Sequence, residues 1–375
     1  MKISMRAARL TRGTVVATVA GVALGSALFG TAASAASAKV PKSGVETPSG
    51  GTVTETGSTL MYPLFNLWSG GYNGKYSSTT IQTAGTGSGT GISEAENGTI
   101  EIGASDAYLS PSVTQANPDL KNIPLAISAQ VAAYNVPGVT AHLKLSGKLL
   151  SQIYQGQVTK WNASQIASAN PGVTLPNIPI VTLHRSDSSG DTFLWTSYLS
   201  KADASGWGAK IGFNTTVPWP AAPGALGENG NSGMVSGCKA TPGCIAYVGI
   251  SYLTQLLQGG MGYAALGNAK GQYVAPTTQT IASEAAGFVK KTPANGTISL
   301  IYGNINNGYP IVNYEYGIVS THQSSSTTAK NIRSVLEWAS NPKDGGSSQY
   351  LSQVNFQPLP PKVQAQSLKQ ILSIT

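Results

Sequence analysis

Three segments of this chain share one design, a turn of Gly, Ser and Thr that runs directly into a helix. They are Gly57-Ser58-Thr59-Leu60-Met61-Tyr62-Pro63, Gly85-Thr86-Gly87-Ser88-Gly89-Thr90-Gly91-Ile92 and Arg185-Ser186-Asp187-Ser188-Ser189-Gly190-Asp191-Thr192-Phe193. Pro63 suits the first turn of a helix, and a Ser or Thr before it suits the cap. A helix start offers unpaired N–H groups and a partial positive charge. Small residues let an anion approach that backbone, and hydroxyls add donors. One such segment is an ordinary capped helix. Three of them, one opening on Arg185, point to an oxyanion site. The glycines of the second segment follow G-x-G-x-x-G only loosely. No acidic residue sits where a ribose needs one, and the G-K-[ST] ending of a P-loop is missing, so it is not a nucleotide fingerprint.

Around these turns, short β-type runs alternate with amphipathic helical stretches, which argues for an α/β architecture. The pattern places strands at about 100–104, 130–135, 178–183 and 311–319. It places helices at about 63–68, 149–155, 192–199 and 329–340. No internal repeat is present. The span 206–243 is rich in Gly, Pro and Asn and predicts irregular structure. Residues 39–50 read as a flexible lead-in.

Charge and composition narrow the function. Charged residues make up only 10% of the chain and hydrophobic ones 41%, too apolar for disorder and too lightly charged for a typical cytosolic surface. Of the 23 basic residues, Lys2, Arg6, Arg9 and Arg12 lie in the first twelve positions. Without them 19 basic residues face 15 acidic ones, a net charge of +4 instead of +8. No Lys/Arg cluster argues for nucleic acid. The basic start precedes an uncharged apolar run over 13–30, then A-x-A patterns at 33–35 and 36–38. This is the layout of an export signal over 1–38 with its cleavage site. An uncleaved membrane anchor is the alternative, disfavoured by the Gly, Ala and Thr content of the run. The leader has no Cys, so no lipid anchor on a thiol is expected. Cys238 and Cys244 are the only cysteines. In an exported chain, a pair this close across a Pro-Gly turn reads as a disulfide worth about 2 kcal/mol.

From about Thr52 onward the chain resembles the extracytoplasmic phosphate-binding protein of the phosphate-specific ABC importer, a family of the periplasmic-binding-protein superfamily. The first and third segments above and Gly87-Ser88-Gly89-Thr90-Gly91-Ile92 carry the likeness. So do Ile102-Gly103-Ala104-Ser105-Asp106-Ala107-Tyr108-Leu109-Ser110 and Ile153-Tyr154-Gln155-Gly156-Gln157-Val158-Thr159-Lys160-Trp161-Asn162. The resemblance implies a type II fold of two α/β lobes joined by two crossover strands, with the ligand in the cleft. Lobe one is expected at 51–133 plus 310–375, and lobe two at 134–309.

The resemblance also implies the ligand set. Thr59 and Ser88 donate from hydroxyls, and Leu60, Ser189 and Gly190 from backbone N–H groups. Arg185 supplies the full charge. Asp106 accepts a proton that phosphate carries at neutral pH and sulfate lacks, which penalises sulfate. Asp191 stands where some relatives have Thr. It either accepts a second ligand proton or holds Arg185 in place, and the second role is preferred. Trp161 is read as core, and His184 as facing away from Arg185.

The expected function is tight binding of inorganic phosphate outside the cytoplasm and delivery to an importer whose permease and ATPase are separate chains. The protein is read as a monomer and not an enzyme. It needs no metal or cofactor, since His142, His184 and His322 show no ligand spacing and no nucleophile–base pair is visible. The alternative is a surface-exposed protein of this fold that binds another oxyanion or serves in adhesion.

Overall fold

The computed structural model describes residues 45–375, so the expected export signal and residues 39–44 lie outside the described residues. Among the described residues twelve strands form two sheets. The large sheet begins with β1 (Gly51–Gly57), β2 (Thr79–Gly85) and β3 (Ile102–Ser105), where β1 pairs in parallel with both neighbours. Next comes β4 (Leu120–Asn135), buried along nearly its whole length. A short β5 (Lys144–Leu145) belongs to the small sheet. In the other half of the large sheet lie β6 (Val181–Arg185), β7 (Leu226–Glu228) and β8 (Cys244–Gly249), with β6 parallel to both others. β9 (Gly262–Tyr263), β10 (Ala265–Gly267), β11 (Tyr273–Val274) and β12 (Val312–Ser320) complete the set. The large sheet runs β2-β1-β3-β12-β4-β8-β6-β7.

Two strands carry the chain across the middle. β4 pairs with β12 through residues 120–129 and with β8 through 130–135, so its partner changes between Ala129 and Gln130. The return crossing is the approach to β12, where the Gln130 N–H donates to the Ile311 carbonyl at 3.2 Å. A bulge in the β4–β12 ladder falls between Glu315 and Tyr316, beside Pro124, which has no N–H to give the ladder. The sequence pattern marked only the second half of β4. Pro124 and the polar Lys121 and Asn122 hide the first half, which is buried because both faces of this central strand are covered.

Helices follow the strands: α1 (Tyr62–Lys75), α2 (Ser88–Glu96), α3 (Pro111–Ala116), α4 (Gly147–Tyr154), α5 (Ser164–Ala169), α6 (Gly190–Ala202) and α7 (Gly230–Ala240). The irregular structure expected over 206–243 is found at 211–225, and α7 corrects it at Gly230–Ala240. Its Asn231, Met234, Val235 and Cys238 are all buried, at the i, i+3, i+4, i+7 spacing of one helical face, and that packing outweighs the glycines around them. Cys238 and Cys244 are disulfide-bonded and tie the end of α7 to the start of β8. Trp161 is fully buried and gives its indole N–H to the Gly243 carbonyl at 2.9 Å. Residues 45–49 of the expected lead-in are tied to the helix Ser326–Ser340. The Glu46 N–H donates to Glu337, Arg333 bonds the Glu46 carboxylate at 2.7 Å, and the Ser49 N–H reaches Asn331. Among the described residues no helix is long and apolar enough to cross a membrane.

One buried acid in this framework should govern stability. Glu55 on β1 is 2% exposed and takes a hydrogen bond from Thr83 on one carboxyl oxygen only. Burial pushes its pKa up to about 8, against the partial relief from Thr83. A raised folded pKa favours the protonated form in the fold, so this contribution is complete below about pH 4.5 and is lost as pH rises to about 8. Thermal unfolding from pH 5 to 8 should show stability falling more steeply for wild type than for Glu55→Gln. The difference accumulated over that range is on the order of a few kcal/mol. Parallel curves for the two proteins would refute the assignment.

Candidate functional site

The three glycine- and hydroxyl-rich turns converge on one cleft. The first opens where β1 ends at Gly57, whose φ of +139° and close approach to the Ala104 backbone exclude a side chain. Ser58 Oγ then accepts from the Leu60 and Met61 N–H groups at 3.1 and 3.0 Å and donates to Asp106. Thr59 Oγ1 accepts from the Asn231 side chain at 3.0 Å. The second turn places Gly87 before α2 at φ +98°, where a Cβ would strike Asp187 and the Ser188 carbonyl. Ser88 begins α2, and its hydroxyl accepts the Asp106 N–H at 3.2 Å.

The third turn supplies the charge. β6 ends on Arg185, whose side chain is 1% exposed. Its Nε donates to Asp187 Oδ1 at 2.7 Å, its Nη2 bonds the other Asp187 oxygen, and its Nη1 donates to Asp191 Oδ2 at 2.8 Å. A guanidinium has five N–H donors, so two remain for a ligand. Ser189 caps α6 by accepting the Thr192 N–H, and Gly190 and Asp191 form the first turn. The Gly190 N–H, at the first helical position, has no intrahelical acceptor.

Two backbone donors expected here are directed elsewhere. The Leu60 N–H goes to Ser58 Oγ, and the Ser189 N–H goes to the Thr215 carbonyl at 2.9 Å. The remaining expected residues, Thr59, Ser88, Asp106, Arg185, Gly190 and Asp191, are brought together. His184 turns from the cleft and packs against Trp219, with ring centroids 5.0 Å apart and planes tilted by 33°. Burial lowers its pKa.

Sequence reasoning missed the residues that hold Asp191. Gln130 Nε2 donates to its Oδ1 at 3.0 Å and to its carbonyl at 2.9 Å. Asn231 Nδ2 donates to its Oδ2 at 2.6 Å, while Asn231 Oδ1 accepts the Gly249 N–H. The Tyr247 hydroxyl accepts the Arg185 N–H at 2.8 Å and bonds Thr192. The 231, 234, 235, 238 spacing could have revealed Asn231. Gln130 carries no signal beyond a polar residue within an apolar strand.

The electrostatics are those of one cation among buried acids. Burial alone would lower the Arg185 pKa, but Asp187 and Asp191 hold it above its ordinary value. Burial raises Asp187, yet its hydrogen bonds and ion pair with Arg185 win and leave it below the usual carboxylate range. Burial, with the charge of Asp191, pushes Asp106 up to about 7 against the bonds and charges that lower it. Burial also raises Asp191, opposed by Arg185, Gln130 and Asn231. Among the described residues no cluster of three or more metal-ligating side chains occurs.

The two halves of the fold touch across the cleft. The Gly89 N–H donates to the Ser188 carbonyl at 3.0 Å, and the Ser251 hydroxyl to the Leu60 carbonyl at 2.8 Å. Tyr108 meets Phe193 edge to face at 5.2 Å. Gly190 lies so close to Asp106 and Ser88 that an added Cβ would collide with both side chains.

The match to known proteins follows the same path. Residues 43–341 match the family model described as the PBP superfamily domain. The chain is 33% identical over 313 residues to the phosphate-binding protein PstS of Xylella fastidiosa (strain 9a5c), covering 83% of this chain and 82% of that one. Its fold is like that of PfluDING, a high-affinity periplasmic phosphate-binding protein solved with phosphate at pH 8.5. That match has a TM-score of 0.66 and 21% identity, over 84% of this chain and 92% of the other. An ABC-type phosphate transport receptor from Vibrio cholerae matches at TM-score 0.53 and 19% identity, over 82% and 100%.

The contact at Gly190 yields a test of closure. Gly190→Ala should hold the halves apart, because the new methyl meets buried Asp106 and Ser88. Small-angle scattering should then show a larger radius of gyration than wild type under identical conditions. Equal radii would show that the cleft absorbs the methyl.

Proposed function

This chain belongs to the PBP superfamily and, within it, to the phosphate-binding proteins typified by PstS, and from that membership we propose that it captures inorganic phosphate in its cleft and passes it to an ABC-type importer. The observation that carries the reading is the buried Asp106 facing the same cleft as Arg185 and the starts of α2 and α6. A carboxylate has no place in a site for a bare anion. It is useful where the anion brings a proton, because ionised Asp only accepts hydrogen bonds.

Phosphate at neutral pH is such an anion. Its deprotonated oxygens take the two remaining Arg185 N–H groups, the Gly190 N–H and the hydroxyls of Thr59 and Ser88. Its P–OH donates to Asp106. Sulfate, with no proton, would set an oxygen lone pair against the carboxylate, and each 1.4 kcal/mol of that repulsion is about tenfold in affinity. Asp191 holds Arg185 in position, with Gln130 and Asn231 satisfying its other lone pairs. The Leu60 and Ser189 N–H groups join the ligand set only if they exchange their present partners on binding.

The two lobes are 51–133 with 310–375, and 134–309. Binding across them stabilises the closed form by differential affinity. The relatives are substrate-binding proteins. The protein acts as one, a monomer outside the cytoplasm without catalysis, delivering to separate permease and ATPase chains.

Calorimetry on protein stripped of anion should show one-to-one binding of phosphate and no heat from sulfate. Heat from neither anion, with a folded sample, would remove the reading. Asp106→Asn should bind sulfate and lose most of the discrimination. Arg185→Met should lose about 100-fold or more in phosphate affinity, because it removes a buried charge-assisted donor and leaves two carboxylates uncompensated. Asp191→Asn should change the pH profile of binding more than its maximum, which calorimetry across pH 5 to 9 measures directly. Superimposable profiles would exclude a role for that carboxylate's charge.

A further inference from the structure

We propose that Glu315 is a positioning residue for anion recognition, holding a proton on Oε2 and donating it to the Asp106 carboxylate, so that the ionised form of Asp106 is favoured as the acceptor for the ligand's own proton. The inference rests on the phosphate reading of the cleft and deepens it.

Strand register makes the pair. β12 runs antiparallel to β3 with Tyr316 opposite Ser105 and Gly317 opposite Ala104. Glu315 precedes Tyr316 and Asp106 follows Ser105, so the two acids flank the last paired position at the end of β3. The bulge beside Glu315 in the β4 ladder lies where such irregularities re-aim side chains. Asn313 spans the two acids, its Nδ2 donating to Glu315 Oε1 at 2.9 Å and lying 3.4 Å from the Asp106 carbonyl.

The hydrogen-bond inventory locates the proton. Glu315 is fully buried. Both donors that reach it, Ser128 Oγ and Asn313 Nδ2, go to Oε1. Oε2 is buried and receives no donor among the described residues. An ionised carboxylate with one bare buried oxygen is costly, whereas a protonated one uses that oxygen as an O–H donor. No ion pair among the described residues involves Glu315. The titratable and charged groups around it are Asp106 on the β3 side and the neighbouring Tyr316 on its own strand. Beyond Asp106 lie Asp191 of α6 and Arg185 of β6, and Arg185 is already paired with two aspartates. Burial first, and then the charge of Asp106, hold Glu315 well above the usual carboxylate range. The hydrogen bond from Glu315 in turn stabilises the ionised form of Asp106. Were Glu315 ionised as well, the ligand would meet four carboxylates against one guanidinium.

Glutamine is the exact mimic of this protonated acid, with Oε1 still accepting from Ser128 and Asn313, Nε2 donating to Asp106, and no proton to lose. Wild type and Glu315→Gln are compared by infrared spectroscopy at pH 7 and by phosphate calorimetry from pH 6 to 10. The expected infrared result is loss of one protonated-carboxyl absorption in the variant. The expected calorimetric result is similar affinity at pH 6, with wild type falling below the variant as pH rises. The gap should grow by up to about tenfold per pH unit once Glu315 ionises. An unchanged carboxyl absorption would place no proton on Glu315, and an affinity ratio constant with pH would deny that the proton controls the site. Either result overturns the proposal. Wild type that takes no phosphate at any pH overturns the phosphate reading and the positioning role with it, while the infrared comparison separately reports where the proton sits.

Discussion

Burying one guanidinium among carboxylates is the constraint on which the rest of this cleft depends. Taking such ions out of water costs several kcal/mol each, and only near-complete hydrogen bonding offsets it. Arg185 meets that demand within seven residues of its own chain. Asp187 grips it bidentately from the turn after β6, and Asp191 reaches it from the first turn of α6. The turn therefore cannot vary in length, and β6 and α6 are locked in register by charge as much as by packing. Asp191 in turn needs donors for its remaining lone pairs. Gln130 from β4 and Asn231 from α7 provide them, so four separate elements are fixed by the requirements of one ion.

The crossing strands do more than join the halves. β4 places Gln130 where its pairing passes from β12 to β8, and that side chain bonds the first turn of α6. β12 places Glu315 and Asn313 behind Asp106 on the opposite wall. Both strands thus carry polar side chains from the hinge into the cleft. A change of angle between the halves must strain the hydrogen bonds of Asp191, and a change of charge in the cleft is felt at the hinge. Asn231 tightens the link, because its amide bonds Thr59 on one side of the cleft and Asp191 on the other.

What the sequence discloses follows from how local each signal is. The three turns are local, since each keeps its glycines and hydroxyls, and the third its Arg185, within a segment of at most nine residues, and all three reach the cleft. Trp161, flanked by the polar Lys160 and Asn162, could read as core or as facing a partner, and it is core. Gln130 and Asn231 act on Asp191 from 61 and 40 positions away, and Glu315 is held by Ser128 at 187 positions, and no local pattern announces such pairings. α7 was hidden for a different reason. Its glycines lower helix propensity, and the packing that overrides them comes from β8, β6 and the disulfide. The first half of β4 was hidden by Pro124, tolerated there because the ladder bulges beside it. The backbone donors of Leu60 and Ser189 were expected from the family resemblance, which places them at helix starts. That placement fixes where an N–H lies but not which acceptor claims it, and Ser58 and Thr215 are the nearer claimants.

The excess of acids over bases in the cleft is what gives it chemical selectivity. A site built of Arg185 and helix starts alone would rank anions by charge and size, and sulfate and phosphate differ little in either. Adding a carboxylate weakens every anion, but it weakens least the one that can place a proton between itself and the carboxylate. The cost in affinity is accepted by all candidates, and the relief by one only, so the difference between them grows while the absolute strength falls. That arrangement works only while the acceptor keeps its charge. Without the Glu315 bond that lowers it, Asp106 would be held further above the usual carboxylate range by burial and by the Asp191 charge, and protonation would cost it its discrimination. A second, more deeply neutral acid behind it supplies the hydrogen bond that favours the charged form. Within a single buried site, Glu315 and Asp106 thus divide two roles, one holding a proton and the other ready to receive one.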